Sequence, residues 1–251
     1  MFVARQHPCL LIVVLSLMTS SGHAAGLPDD CTQVIVGTAP NWNSMHGQAQ
    51  LFERVAGRRW KPASMPFPVL FGKNGLAWGS GLAGQDELGL HKTERDGRAP
   101  AGIFRIGKIY TYDATLPPGA DFPFHQVTTA DAWIDDVNSP QYNRFVTIDD
   151  PANPPAWFEK EKMRHHDFAY RWLVEIRHNS DPPVPGAGSA IFFHIRRGID
   201  RPTAGCTTME QRNLVKLITW LRADRHPYYA AMPRSTYEKN WKRWDLPSPG
   251  L

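Results

Sequence analysis

At 251 residues and 28.3 kDa the chain has room for one large domain or two small ones. Apolar residues at 42% against 21% charged supply a packed core, which excludes disorder as the default. The net charge of +4 is too small an excess to argue for nucleic-acid binding, and three cysteines exclude a disulfide-knot scaffold and a multi-cysteine zinc array.

The chain opens on an export signature. Arg5 is the only formal charge before Asp29, residues 10–18 (LLIVVLSLM) are apolar, and small residues lead into His23-Ala24-Ala25. A basic start, an apolar core and a small-residue cleavage site predict a signal over residues 1–25, cut after Ala24 or Ala25. The apolar run is shorter than the ~20 residues of a spanning helix, so no stable membrane span is expected after cleavage; an uncleaved anchor is the alternative. The mature chain then keeps Cys31 and Cys206, which an oxidising compartment would allow to pair.

Strands joined by turns are expected over residues 32–110. The high Pro and Gly content, 22 and 20 residues, argues against long helices. Residues 33–36, 48–54 and 66–71 read as strands, with Lys73-Asn74-Gly75 as a hairpin-type turn. Residues 72–89 are too rich in glycine for a helix and read as tight turns. Residues 113–165 carry many aromatics among Pro, Asp and Asn, and predict long ordered loops with short strands or helical turns. Residues 170–176 alternate, and residues 190–195 form a strongly apolar strand after a turn at 182–188. One helix stands out: Thr208-Met209-Glu210-Gln211 fits a capping box, with Leu214, Leu217, Ile218 and Leu221 following at helical spacing. The basic, aromatic tail over residues 231–251 either packs as a short element or frays. A single β-rich domain with a few helices is therefore expected.

His194 ends the apolar strand, and Cys206 follows in Thr203-Ala204-Gly205-Cys206-Thr207-Thr208, directly before the expected helix. A helix start and a nearby imidazole would both lower a thiol pKa, and the imidazole could take the proton. Gly205 would let the backbone of Gly205–Thr207 form an oxyanion hole. The competing readings are a buried hydrophobic cysteine, or a Cys31–Cys206 disulfide.

Gly188-Ser189-Ala190-Ile191-Phe192-Phe193-His194 followed by Pro202-Thr203-Ala204-Gly205-Cys206 resembles the core of the L,D-transpeptidase (YkuD-type) catalytic domain. Upstream, residues 96–104 (DGRAPAGIF) resemble that family's Asp-Gly-x-x-Pro-x-Gly-x-Phe segment. Residues 74–79, Trp133-Ile134-Asp135-Asp136 and Ser139-Pro140-Gln141-Tyr142-Asn143 resemble an exported bacterial branch of it. The likeness covers roughly residues 32–230. Two departures stand out: better-known members often carry His two residues before the cysteine and Asn or Arg two after it, where this chain has Ala204 and Thr208, and the loop from His to Cys is shorter here. These departures bear on substrate and acceptor, and leave nucleophile and base intact.

The resemblance implies a β-rich sandwich. It implies a cysteine nucleophile acting on peptidoglycan stem peptides in the periplasm or cell envelope, with no metal or organic cofactor. Cys206 would attack the carbonyl of the third stem residue, a diamino acid, with His194 as base. An amine from another stem or an acceptor protein would complete the transfer; water would give carboxypeptidase or amidase action instead. A third reading keeps the fold as a non-catalytic wall-binding protein. Candidate supporting residues are Ser189 or Thr203 to orient His194 or touch substrate, Asp135, Asp136 and Asn143 to line the cleft, Arg98 to pair a substrate carboxylate, and Trp133 and Tyr142 as walls. Their plainer roles are turns, Asx networks and core packing. His165-His166-Asp167 lacks metal-site spacing and is read as structural.

Overall fold

The computed structural model describes residues 26–55 and 59–250, so the expected export signal lies outside the described residues. In chain order the strands are β1 (Gln33–Ala39), β2 (His46–Glu53), β3 (Lys61–Pro62), β4 (Phe67–Leu70), β5 (Leu76–Trp78), β6 (Ala99–Thr111) and β7 (Phe124–Gln126). They continue as β8 (Asp131–Trp133), β9 (Phe145–Thr147), β10 (Trp172–Ile176), β11 (Phe192–Ile195), β12 (Thr207–Met209) and β13 (Tyr228–Pro233). The helices are α1 (Phe158–Glu161), α2 (Gln211–Trp220) and α3 (Arg234–Asn240). The chain is mainly β with few helices, as expected.

The main sheet runs β1-β13-β6-β10-β11-β12-β4-β2, and β2 pairs back onto β1. The expected sandwich is therefore realised as a sheet that closes on itself, which removes the open edges of its eight strands. β1 is paired on both sides, parallel to β13 and antiparallel to β2, and six of its seven residues are buried. This explains its unbroken apolar run, since only a strand with one wet face alternates.

Two glycines are needed where they stand. Gly75 turns the chain into β5 at φ +86°, and a Cβ there would sit 2.1 Å from the Trp42 carbonyl oxygen. At Gly107 the Glu175 side chain crosses β6 where the register of β10 shifts, and a Cβ would meet its carboxylate at 2.1 Å.

The tail packs rather than frays. β13 runs through residue 230, α3 follows, and Trp244 is fully buried with its ring edge-on to Trp78. Arg54 pairs with Asp245, and the Trp60 indole donates to the Asp245 carbonyl at 2.8 Å. Among the described residues no helix is long and apolar enough to cross a membrane.

Within residues 113–165, β7 pairs with β6 of the main sheet, and the β8–β9 hairpin and α1 form a second layer on the outer face. Tyr110, Val127, Trp133, Met163, Leu173 and Phe192 make a separate apolar cluster between that layer and the sheet, and Cys206 packs against it.

The structure also carries an acid limit. His178 is buried, accepting from the Ser80 N–H at Nδ1 and donating from Nε2 to the Ala187 carbonyl. Protonation of Nδ1 would break the first bond, and burial holds the pKa down at about 4. The unfolded chain takes up that proton near pH 6.5. The stabilisation is therefore complete above 6.5 and is lost as pH falls towards 4, worth on the order of 3 kcal/mol for such a shift. The urea midpoint is expected to drop between pH 6.5 and 4, and less steeply in His178→Asn; a flat midpoint would contradict this.

Candidate active site

His194 is the third residue of β11, and Cys206 directly precedes β12. The two strands are parallel, with Phe193 opposite Thr207 and His194 opposite Thr208. The Phe193 ring and the Thr207 hydroxyl both meet Tyr229 inside the closed sheet. Side chains alternate along a strand, so Phe192, His194, Cys206 and Thr208 share the outer face. Thiol and imidazole thus come from neighbouring strands onto one surface.

The expected capping box is not formed. Thr208 is drawn into β12 by pairing with His194 on one side and Leu70 on the other. The residue before α2 is Glu210, which makes no side-chain cap and pairs instead with Arg196 and Arg212. The helical spacing was read correctly, since Leu214, Leu217, Ile218 and Leu221 are all fully buried. Cys206 therefore lies five residues before the first helical residue, beyond the single turn over which a helix dipole acts.

The thiol is accordingly not acidic at rest. Burial raises its pKa to about 11, against the opposing pull of the Phe192 N–H, Lys92 and Arg197. Its Sγ donates to the Ala190 carbonyl at 3.4 Å. His194 is also buried, and burial lowers its pKa to about 4. Its Nδ1 lies 2.9 Å from the Ile195 carbonyl. A carbonyl only accepts, so Nδ1 carries the hydrogen and Nε2 keeps the lone pair. Tyr170 stands edge-on to the imidazole with centroids 5.1 Å apart, and Arg197 covers Tyr170 while pairing with Asp167. Among the described residues, thiol and imidazole make no hydrogen bond to each other.

Cys206 opens into a pocket of about 190 Å³. Trp133, Met163, Leu173 and Phe192 give it an apolar side, and Tyr170, which also lines it, stands edge-on to His194. Asp135 and Glu161 form one charged wall; burial raises both carboxyl pKa values, and the Asp135 N–H donates to Glu161 at 2.9 Å. Lys160 and Lys162 supply the opposite sign, and His165 lines the pocket beside them with its pKa lowered by burial. A larger cleft, about 440 Å³ around Arg105 and Lys108, contains neither Cys206 nor His194, so size alone does not mark the site.

Of the other candidates only Trp133 and Asp135 reach this pocket. Thr203 holds the turn, its hydroxyl accepting from the Gly205 N–H at 3.1 Å and donating to the Cys206 carbonyl at 2.6 Å. That engages the Gly205 N–H expected for the oxyanion. The Arg196 N–H bonds to the Met209 carbonyl, and the two-residue period of a parallel ladder then directs the Thr207 N–H onto Phe192. Among the described residues, the Cys206 N–H is left without a partner in this turn.

Ser189 donates to Glu94 rather than orienting His194, and the buried Tyr142 donates to the same carboxylate. Arg98 spends its guanidinium on the Trp42 and Leu76 carbonyls and on Asn43, away from the pocket. Asp136 caps an exposed turn at Asn138. Asn143 is buried rather than cleft-lining: its Oδ1 accepts from Trp133 Nε1 and the Ala190 N–H, and its Nδ2 donates to the carbonyls of His178 and Asn179. It thereby fixes Ala190 at φ +53°, the residue whose carbonyl meets the thiol.

Both described cysteines, Cys31 and Cys206, are free, which removes the expected competitor of a disulfide between them. Cys31 lies in the main core, its thiol directed at the Gln33 carbonyl, and burial raises its pKa to about 12.

Sequence reasoning missed Lys92. Its side chain is almost fully buried under the Gly205 turn, with Nζ held by Asp96 at 2.6 Å and by the Thr93 carbonyl. The signal was indirect: Asp96 belongs to the Asp-Gly segment noted above, but nothing in the sequence says which cation it binds.

A comparison with family models matches residues 53–239 to the L,D-transpeptidase catalytic domain, YkuD. No curated protein and no solved structure matches the chain. The matched segment contains the thiol, the imidazole, the Cys206 pocket and six of the eight strands of the closed sheet. The chain belongs to the L,D-transpeptidase (YkuD) family, whose members act on peptidoglycan.

Proposed function

We propose that the protein is an exported L,D-transpeptidase that forms a Cys206 thioester with peptidoglycan stem peptides, using His194 as base. The observation that carries this reading is the Cys206 thiol in the wall of a pocket, on the same sheet face as a neutral imidazole with a free Nε2.

The thiol proton passes to His194 Nε2 as Sγ attacks the carbonyl of the third stem residue. The C–N bond to the terminal residue then breaks, and His194 protonates the departing amine. In the second half an acceptor amine attacks the thioester, forming C–N and breaking C–S, and its proton returns to the sulfur through His194. The Cys206 N–H is a donor in the turn free to face the developing oxyanion. A pocket lined by both carboxyls and lysines suits a diamino-acid side chain, which bears both an ammonium and a carboxylate. No metal or organic cofactor enters these steps.

Water as acceptor would make the same site a carboxypeptidase or amidase. Incubation with purified muropeptides, read by mass, separates the outcomes. A cross-linked dimer is expected; loss of residues alone would replace the transferase reading with the hydrolase one. No product with any stem peptide would leave the wall-binding reading.

A further inference from the structure

Thr208 is 1% exposed, and its hydroxyl has no hydrogen-bond partner. An orphaned buried hydroxyl costs about 1–3 kcal/mol, so its position calls for a reason. Its neighbours narrow the choice. Across the sheet Thr208 lies between Leu70 of β4 and His194 of β11, and the three side chains share the outer face. Leu70 offers nothing polar. Along β12 the next residue on that face is Cys206. The Thr208 backbone thus stands one strand spacing, about 4.8 Å, from that of His194, whose Nδ1 is committed to the Ile195 carbonyl and whose Nε2 is not.

We propose that Thr208 is a positioning residue for His194, its hydroxyl pairing with Nε2 once that nitrogen carries the thiol proton. This rests on the reading of His194 as the base. At rest the hydroxyl makes no hydrogen bond, and Nε2 keeps its lone pair for the thiol proton. Once Nε2 has taken the thiol proton, the hydroxyl turns and its oxygen accepts from Nε2–H. That bond matters because attack moves the negative charge from the sulfur to the tetrahedral oxyanion, so the buried imidazolium loses the adjacent thiolate as its counter-charge until the leaving amine collects the proton. Burial already disfavours this imidazolium. The hydroxyl is idle in stability and used in turnover.

Thr208→Val keeps the shape and removes only the hydroxyl, so folding is not the obstacle. Turnover of muropeptides is expected to fall about tenfold in kcat with KM unchanged. The Tm is expected to stay level or rise, and Thr208→Ser is expected to restore kcat. A structural hydroxyl would instead lower Tm in step with activity, and that result overturns the proposal. So does a Thr208→Val enzyme with wild-type kcat, or a loss that Thr208→Ser does not repair. If the base reading itself is wrong, His194→Gln stays active, which separates the two failures.

Discussion

Cys206→Ala is expected to reduce turnover of muropeptides by about 10⁴-fold or more, to background. The reason is that nothing can replace the sulfur. Cys31, the other described cysteine, is fully buried in the main core against Gln33 and Arg54. Intact-mass measurement should find an acyl adduct on Cys206 with donor peptides and with carbapenem-type compounds, and none on the alanine variant. Undiminished product from Cys206→Ala would end the thiol mechanism. Alkylation adds a second check. With a thiol pKa of about 11, roughly one molecule in 10⁴ carries the thiolate at pH 7. The alkylation rate should climb about tenfold per pH unit through pH 7–10 without a plateau. A plateau near neutrality would mean a preformed thiolate.

That scarcity of thiolate sets the second large effect. His194→Gln is expected to lower kcat by about 10³-fold, because deprotonation must then be borne by water. Glutamine keeps much of the packing against Tyr170 while removing the base. The pH profile follows from the depressed imidazole. His194 is neutral and competent above about pH 4, so kcat/KM should hold as pH falls through 6.5 and drop only near 4. An acid limb at 6.5 would show instead an imidazole open to water. Activity close to wild type in the glutamine variant would remove His194 from the mechanism.

Much of this was legible along the chain, and the failures share one cause. The strands at residues 33–36, 66–71 and 190–195 were visible because doubly covered strands need unbroken apolar runs. Helix α2 was visible through Leu214, Leu217, Ile218 and Leu221, but its start was not. Threonine at a cap and threonine in a strand read alike locally, and pairing with Leu70 and His194, far away in sequence, decided for the strand. That one decision reversed the expected effect on the thiol, from a helix start that would acidify it to a buried strand end that does not. Ser189, Arg98, Tyr142 and Asn143 were noticed for their chemistry but spend it on Glu94, backbone carbonyls and Trp133, partners set by tertiary contact.

The sequence by itself determined the β-rich class, the family through its His and Gly-Cys segments, and the pair of residues on which a thiol mechanism would rest. Those are properties of local pattern and of residue chemistry. Only the tertiary structure decided that the sheet closes on itself, that both described cysteines stay free, and that thiol and imidazole are both neutral at rest. Burial, cross-strand neighbours and hydrogen-bond partners are sums over residues distant in the chain. The pKa of Cys206 and the solitude of Thr208 could be read only once those neighbours were in place.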